Sequence, residues 1–403
     1  MKKILLIIID GLGDRPIKKL DNKTPLEAAK TLNLDYLASK GTCGLIDPFY
    51  FPWQKYPRSD TAHLALLGCN PKDFYLGRGV YEAVGEGMDV RKGDVALRAN
   101  FGTVDKNLKI IDRRAGRINN TRVLVKALSG IKIKGVKFLI EKSLGHRAVL
   151  LLRGKNISSA IGGGDVDKKP GIKARKIIPL NKSEKAKFTA NVLNEFIKEV
   201  HKRLENHPLN KKRKRQGLLP ANYLLVRGAG QFKETPSFSR KYNLKAGCIA
   251  AGHVYRGVAK ILGMDLINVI GATGNTDTNL KGKVSAIKRS LKKYDFIFCH
   301  IKATDILSEN GDCFGKMKFI EKIDKSIRPL LNLKDTVVVI TADHCTCCEI
   351  KKHCKDLIPV LIYRSSDDFK KPKIKFSEKA CKEGGLGRFK QINLMKKILK
   401  FTK

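Results

Sequence analysis

Ile4-Leu5-Leu6-Ile7-Ile8-Ile9-Asp10-Gly11-Leu12-Gly13-Asp14 decides how this chain folds. A continuous run of branched aliphatic residues, with no polar position alternating through it, is the pattern of a strand covered on both faces, as in a parallel sheet. The run stops at Asp10, which puts an acidic side chain at the carboxyl end of the strand. The same pattern returns twice near the other end of the chain. Tyr294 to Ile301 reads as a buried strand followed by Ala303-Thr304-Asp305, and Thr336 to Thr341 as another followed by Ala342-Asp343-His344.

Helices alternate with these strands. Thr24-Pro25-Leu26-Glu27 opens one with a cap, a proline at its first position and a glutamate three residues after the cap. Leu34 to Ala38 continues helically until Gly41. Residues 246–262, 284–293 and 319–331 read as helices, and 267–270 as a further strand. Strands alternating with helices imply an α/β fold with a doubly wound sheet. From about Gly93 the texture differs. Short strand-like pieces (95–101, 108–111, 137–140 and 148–152) alternate with turns such as Gly162-Gly163-Gly164. Asn181 to Leu204 is a long helical stretch, and Tyr223 to Arg227 is a strand stopped by Gly228-Ala229-Gly230. The expected organisation is therefore a core built from residues 1–92 and 236–403, with an α+β domain, residues 93–235, inserted.

Composition bounds the function. A length of 403 residues allows about two or three domains, and 42% apolar residues fit a soluble globular protein. Met1-Lys2-Lys3 imitates the start of a signal peptide. The apolar run behind it is too short, however, and no small-residue cleavage site follows. No stretch is long enough to span a bilayer, so the expected location is the cytoplasm, with no membrane partner. The net charge of +43 raises the question of nucleic acid, but the lysines are spread along the whole chain. The densest run, Lys211 to Arg215, is either a polyanion contact or a solvated helix end or loop. No RNA-binding aromatic signature accompanies it, and general lysine enrichment also occurs in heat-adapted proteins. Nonspecific nucleic-acid contact is compatible with this charge without being the expected function. Ten cysteines in a chain this long do not form a disulfide framework.

Asp10, Asp305 and Asp343 all fall at the carboxyl edge of strands, where open α/β sheets bind ligands. One such aspartate would read as a helix cap. Three of them, with His344 and His353, read as a divalent metal site for Mn, Zn or Mg. From Gly44 to Pro57 the chain is loop-like and rich in aromatics and proline. It leads into Tyr56-Pro57-Arg58-Ser59-Asp60-Thr61-Ala62-His63-Leu64-Ala65-Leu66-Leu67-Gly68, where a loop turns into a short apolar helix. Ser59 and Asp60 are candidate caps there, and Gly68 a candidate stop. The second reading of Ser59 is chemical. A metal-bound serine hydroxyl loses its proton easily and becomes a strong nucleophile, and a helix N-terminus favours the phosphate it would carry.

A set of motifs agrees with that second reading. They are Ile9-Asp10-Gly11, Ser59-Asp60-Thr61-Ala62-His63-Leu64, Arg98-Ala99-Asn100-Phe101, Asp112-Arg113, Gly145-His146-Arg147, Leu225-Val226-Arg227-Gly228-Ala229-Gly230, Lys302-Ala303-Thr304-Asp305, Asp343-His344 and Gly384-Gly385-Leu386-Gly387-Arg388. Together they resemble the archaeal type of 2,3-bisphosphoglycerate-independent (cofactor-independent) phosphoglycerate mutase, in the alkaline phosphatase superfamily, over essentially the whole chain. The resemblance implies an isomerase of glycolysis and gluconeogenesis that interconverts 2- and 3-phosphoglycerate through a phosphoserine at Ser59. It implies an alkaline-phosphatase-like core with two divalent ions, Mn first, with Mg, Zn or Co as alternatives. By position, Asp10, Ser59, Asp343 and His344 would hold one ion, and Asp305 and His353 would belong to the other. Arg98, Asn100, Asp112, Arg113, Arg114, Arg117 and Arg147 would bind the substrate, in keeping with the bidentate grip of arginine on carboxylate and phosphate.

The chain departs from the family pattern at two positions. Glu309 stands where the family has histidine, and either supplies an oxygen ligand to the second ion or points away. Arg58 stands where the family usually has glycine, and either holds phosphate or obstructs the turn. His63, one helical turn after Ser59, is expected to pack or hydrogen-bond. Cys345, Cys347, Cys348 and Cys354 read as small buried thiols beside the metals, with a zinc-capturing side site as the alternative. The rival functions are a phosphatase or another phosphomutase of the same superfamily, and a basic RNA-binding protein on an inactive fold.

Overall fold

The computed structural model describes residues 2–165, 171–364 and 374–402. Two compact units divide the chain. One joins Met1–Tyr75 with Thr235–Lys403, and the other is Leu76–Glu234. No helix among the described residues is long and apolar enough to cross a membrane.

In the first unit the strands, in chain order, are β1 (Lys3–Ile9), β2 (Thr42–Asp47), β3 (Ala246–Ile249), β4 (Asp265–Leu266), β5 (Phe296–Ile301), β6 (Thr336–Thr341), β7 (Cys345–Cys347), β8 (Lys352–Cys354), β9 (Ile358–Arg364) and β10 (Gly387–Lys390). The helices needed for the site are α1 (Ser59–Leu66), α2 (His253–Ile261), α3 (Ala303–Asn310) and α4 (Cys313–Ile327). Eight strands share one sheet in the order β4-β3-β5-β1-β6-β9-β2-β10, and β7 pairs with β8 in a separate hairpin. At the centre β5, β1 and β6 run parallel, with Ile9 opposite Ile301 and Ile8 opposite Thr341. That register brings Asp10, the Lys302–Asp305 segment and the Ala342–His344 segment out at one edge. Ile4 to Ile9 are all essentially inaccessible, as a strand covered on both faces requires.

Three local expectations are corrected. Ala246–Ile249 is not the start of a helix but strand β3, parallel to β5, and the helix begins only at His253 after Gly252. The short strand beyond it is Asp265–Leu266, so 267–270 lies outside it. Residues 44–47, read as loop, belong to β2. Gly44 there lets β10 approach closely, since a Cβ would fall 2.5 Å from the Gly387 carbonyl oxygen. That glycine is thus a packing requirement inside a strand.

The inserted unit is an antiparallel sheet in the spatial order 223–231, 95–104, 147–153, 136–142, 132–133, with 110–112 paired to 95–104. Helix Glu184–Glu205, capped by Ser183, contributes Val192, Leu193, Phe196 and Val200 to the core of this unit. Phe196 stacks on Phe138 with ring centroids 4.1 Å apart. Lys211 to Arg215 form the last turns of helix Pro208–Arg215 and are mostly exposed. They lie at the negative end of its dipole, where cations are favoured.

Candidate active site

Ser59 is the first residue of α1 and not its cap. The cap position is Arg58, in ordinary extended backbone (φ −130°, ψ 140°), with no side-chain cap bond. Arg58 therefore poses no obstacle to the turn, and its guanidinium donates to Asp60 Oδ2 at 3.1 Å. Asp60 Oδ2 also accepts from the Tyr75 hydroxyl at 2.8 Å, so Asp60 braces the entry to the helix. Freed from capping, the buried Ser59 hydroxyl lies 3.2 Å from His344 Nε2. His63 donates Nδ1–H to the Ser59 carbonyl oxygen at 2.6 Å. Burial, reinforced by His300, pushes its imidazole down to about 3, so it is neutral at ordinary pH.

Around Ser59 Oγ the strand ends and the β7–β8 hairpin deliver two groups of side chains with atoms close enough to share an ion. Asp10, Asp343 and His344 form one, and Asp305, His344 and His353 the other. His344 Nε2 is 3.2 Å from Asp343 Oδ2 and 3.6 Å from Asp10 Oδ1. Those two carboxylate oxygens are buried and accept no hydrogen bond among the described residues. Buried oxygens of this kind are costly unless a cation meets them, and an oxygen and imidazole donor set fits a divalent ion. On the other side His353 Nε2 is 3.5 Å from Asp305 Oδ1, while its Nδ1 donates to the Pro57 carbonyl oxygen at 2.8 Å. The rings of His344 and His353 stack 3.6 Å apart. Glu309 stands at the rim, with its side chain 54% exposed and an oxygen 4.0 Å from His353 Nε2. It joins neither group in this geometry.

Lys302 and Tyr255 carry much of the electrostatics of the site. Lys302 Nζ bridges Asp10 Oδ2 (3.0 Å) and Asp305 Oδ2 (2.5 Å), and the Tyr255 hydroxyl donates to Asp10 Oδ2 (2.5 Å). Burial opposes ionisation of Asp10, but Lys302 and His300 outweigh it and hold this carboxyl well below its ordinary range. Asp343 goes the other way. Burial and the neighbouring Asp10 carboxylate raise it well above the ordinary range.

The inserted unit holds a cluster of its own. Arg98 pairs with Glu82 at 2.8 Å, and Glu82 also takes Arg78 at 3.0 Å. Burial and the adjacent Arg78 lower the Arg98 guanidinium to about 9. Arg227 is the cross-strand partner of Arg98, and Arg147 that of Asn100. Arg113 and Arg227 both grip Asp165, at 2.6 and 3.2 Å. Arg114 and Arg117 lie exposed in the turn that follows Asp112, whose carboxylate accepts from the Arg114 amide. Arg78, Glu82 and Asp165, together with Arg227 as a partner of Asp165, were not expected as site residues. Arg78 and Glu82 pair one turn apart on helix Arg78–Glu86, but the contact of Glu82 with Arg98 and of Arg227 with Asp165 depends on long-range packing that the sequence does not mark.

The metalloenzyme superfamily model matches residues 2–400. A 2,3-bisphosphoglycerate-independent phosphoglycerate mutase 1 of Methanocaldococcus jannaschii is 43% identical, over 99% of this chain and 97% of that protein. Another from Archaeoglobus fulgidus is 45% identical, over 97% of this chain and 96% of that one. This chain belongs to the 2,3-bisphosphoglycerate-independent phosphoglycerate mutases. A cofactor-independent phosphoglycerate mutase from Thermoplasma acidophilum superposes with a TM-score of 0.73 at 35% identity, with the whole of both chains covered.

Within this mutase fold the cysteine hairpin needs a correction. Cys345 and Cys348 are buried thiols as expected, but Cys347 and Cys354 form a disulfide across β7 and β8. The disulfide runs diagonally across the hairpin, since Cys354 stands opposite Cys345 in register and Cys347 opposite Lys352, a contact that sequence spacing does not reveal. Lys316 is a further unanticipated residue. Its buried ammonium on α4 donates to the carbonyl oxygens of Gly13 and Thr346 and to Asp14, binding the loop after β1 to the hairpin.

Proposed function

We propose that this phosphoglycerate mutase transfers phosphate through Ser59, using two divalent ions, manganese first, and that it acts in the cytoplasm on 2- and 3-phosphoglycerate. The observation that supports this reading is the Ser59 hydroxyl. It is buried at the first position of α1, clear of any capping role, and lies 3.2 Å from His344 Nε2, which in turn neighbours the Asp10 and Asp343 oxygens that accept no hydrogen bond among the described residues. Asp10, Ser59, Asp343 and His344 would hold one ion, and Asp305 and His353 the other, with Glu309 at its rim. Bound there, the ions would lower the proton affinity of the hydroxyl and neutralise charge on the transferring phosphoryl group.

The chain's own residues do the rest. Ser59 Oγ attacks phosphorus, forming the Oγ–P bond as the bond to the glycerate oxygen breaks. The Ser59 hydroxyl proton ends on that oxygen as glycerate is released, and the other glycerate hydroxyl then attacks phosphorus, breaking the Oγ–P bond and returning its proton to Ser59. The amide end of α1 faces the phosphate carried at its first residue. Lys302 keeps Asp10 and Asp305 ionised and in place. Arg98, Asn100, Asp112, Arg113, Arg114, Arg117 and Arg147 of the inserted unit supply the groups that recognise phosphate and carboxylate. The test is purified protein with Mn²⁺ and 3-phosphoglycerate, assayed for 2-phosphoglycerate and for free phosphate. Isomer without phosphate release is expected. Phosphate release alone would make the chain a phosphatase and overturn the proposal.

A further inference from the structure

Thr346, at the middle of β7, touches both ligand groups at once. Its buried Oγ1 lies 2.6 Å from Asp305 Oδ1 and 3.2 Å from His344 Nδ1. A hydroxyl has one proton to give and lone pairs to receive another. Asp305, ion-paired with Lys302, is an acceptor only, so Thr346 donates to it. The hydroxyl oxygen can then only accept from His344, which places the ring proton on Nδ1. The other nitrogen, Nε2, is left with its lone pair directed at Ser59 Oγ, Asp343 Oδ2 and Asp10 Oδ1.

The fold secures this hydroxyl from several sides. Gly11 has a positive φ of 65°, and a Cβ on it would fall 2.5 Å from Thr346 Oγ1. Any side chain at position 11 would therefore expel the hydroxyl as well as strain the turn. The Thr346 amide donates to the Gly13 carbonyl oxygen at 3.1 Å, and its own carbonyl accepts from Lys316 at 3.0 Å. Across the hairpin it pairs with His353. Anchored at both backbone groups, and β-branched, the side chain has little rotamer freedom.

We propose that Thr346 is a positioning residue: the relay His344 Nδ1–H to Thr346 Oγ1–H to Asp305 Oδ1 fixes the tautomer and ring plane of His344, so that Nε2 is presented as a metal ligand beside Ser59. The inference rests on the two-metal reading of the site and is independent of which phosphorylated substrate it serves. The Oγ1–H bond also ties the two ligand groups together, since the hydroxyl that orients His344 in one is oriented by Asp305 of the other. Partners of this kind, one bond behind the ligands, commonly govern metal affinity.

The experiment compares the full chain with Thr346→Val, which keeps the branched shape and loses the hydroxyl, and with Thr346→Ser, which keeps the hydroxyl. Calorimetric titration of metal-stripped protein with Mn²⁺ should show the valine variant weakened by roughly 10–100-fold and the serine variant within about threefold of the parent. Long-range ¹H–¹⁵N spectra of the metal-stripped parent should show the His344 proton on Nδ1. In Thr346→Val that preference should be lost, with the melting temperature of the metal-free protein little changed. A valine variant that binds Mn²⁺ within about twofold of the parent, or a parent His344 protonated on Nε2, overturns the proposal. If Thr346→Val does not fold, the tautomer of the parent decides alone. A parent that binds no Mn²⁺ would sink the two-metal reading, while the tautomer would still decide the relay.

Discussion

Replacing Glu378 by Gln should flatten the dependence of stability on pH between the mid-acid range and neutrality. Glu378 Oε1 accepts from the Asp14 amide at 3.1 Å and Oε2 from the Thr24 hydroxyl at 2.7 Å, so its carboxyl ties the loop after β1 to a helix cap. Burial pushes it up to about 7. The hydrogen bonds from Thr24 and Asp14, and the Lys316 ammonium, oppose that rise without cancelling it. The folded protein therefore keeps a proton here that the unfolded chain releases near the ordinary carboxyl value. A carboxyl shifted upward gives stability that is fully present below the unfolded pKa and is lost as pH rises through the folded one. That rise is worth roughly 3 kcal/mol, and the half-buried residue's remaining solvent contact lowers it to about 2–3 kcal/mol. Gln, always neutral and of the same shape, has no such term. The assay is urea unfolding of metal-stripped parent and Glu378→Gln at several values between about pH 4.5 and 7.5, with the variant subtracted so that all other titrations cancel. The parent should lose about 2–3 kcal/mol more than the variant across that window. Parallel curves, agreeing within about 0.5 kcal/mol, would refute the reasoning.

Further outcomes follow from the same geometry. Ser59→Ala should abolish mutase turnover and the labelling of the protein by substrate phosphate, with an unchanged circular dichroism spectrum; an active variant would remove Ser59 from the mechanism. Metal analysis of Glu309→Ala should show the occupancy of both sites unchanged, since Glu309 joins neither ligand group; weaker occupancy of one site would make Glu309 a ligand. Thiol titration of the unfolded, unreduced protein should count eight of ten cysteines, because only Cys347 and Cys354 are joined; ten would mean the pair is reduced in solution. Burial opposes protonation of His353, but Asp305 outweighs it and raises the imidazole to about 9, so it is charged at neutral pH. Metal loading near pH 7 should therefore expel about one proton from it, and more if Asp343 also gives one up, measurable as a buffer-dependent enthalpy.

The parts of this protein that were legible in sequence are those in which the physics is local. A six-residue aliphatic run has to be covered on both faces, and its end is where the chain must leave the sheet, so Asp10, Asp305 and Asp343 could be placed at an edge before any coordinates. Their convergence depended only on β5, β1 and β6 being parallel neighbours. What stayed hidden depends on long-range pairing. Tyr255 reaches Asp10 from the first turn of α2, 245 residues away in sequence, and no periodicity distinguishes it from a core tyrosine. Arg78 and Arg227 join Arg98 only because a helix and a strand flank it. Ser59 was read both as a cap and as a nucleophile because both need the same position at a helix start. Only the extended Arg58 ahead of it, taking the cap position, separates the two.

The distribution of charge inside the site shows why its residues belong together. Asp10, Asp305 and Asp343 are within 1% of full burial, and carboxylates packed this closely cannot all stay ionised on their own. The chain alone meets the problem in three ways. Lys302 is shared between Asp10 and Asp305, His353 takes a proton beside Asp305, and Asp343 is driven toward its neutral form. These devices leave Asp10 Oδ1 and Asp343 Oδ2 without a hydrogen-bond donor among the described residues. A site meant only to be stable would replace such a group with apolar side chains, which is often the more stable arrangement. The surrounding structure instead supports the unpaired oxygens, through Gly11, which donates its amide to Asp343 Oδ1, and Gln391, which donates to the Asp343 carbonyl. Buried carboxylates held rigidly, beside the neutral imidazole of His344 and left short of positive charge, are what the proposed cation would complete. The Ser59 hydroxyl stands where that cation would act on it.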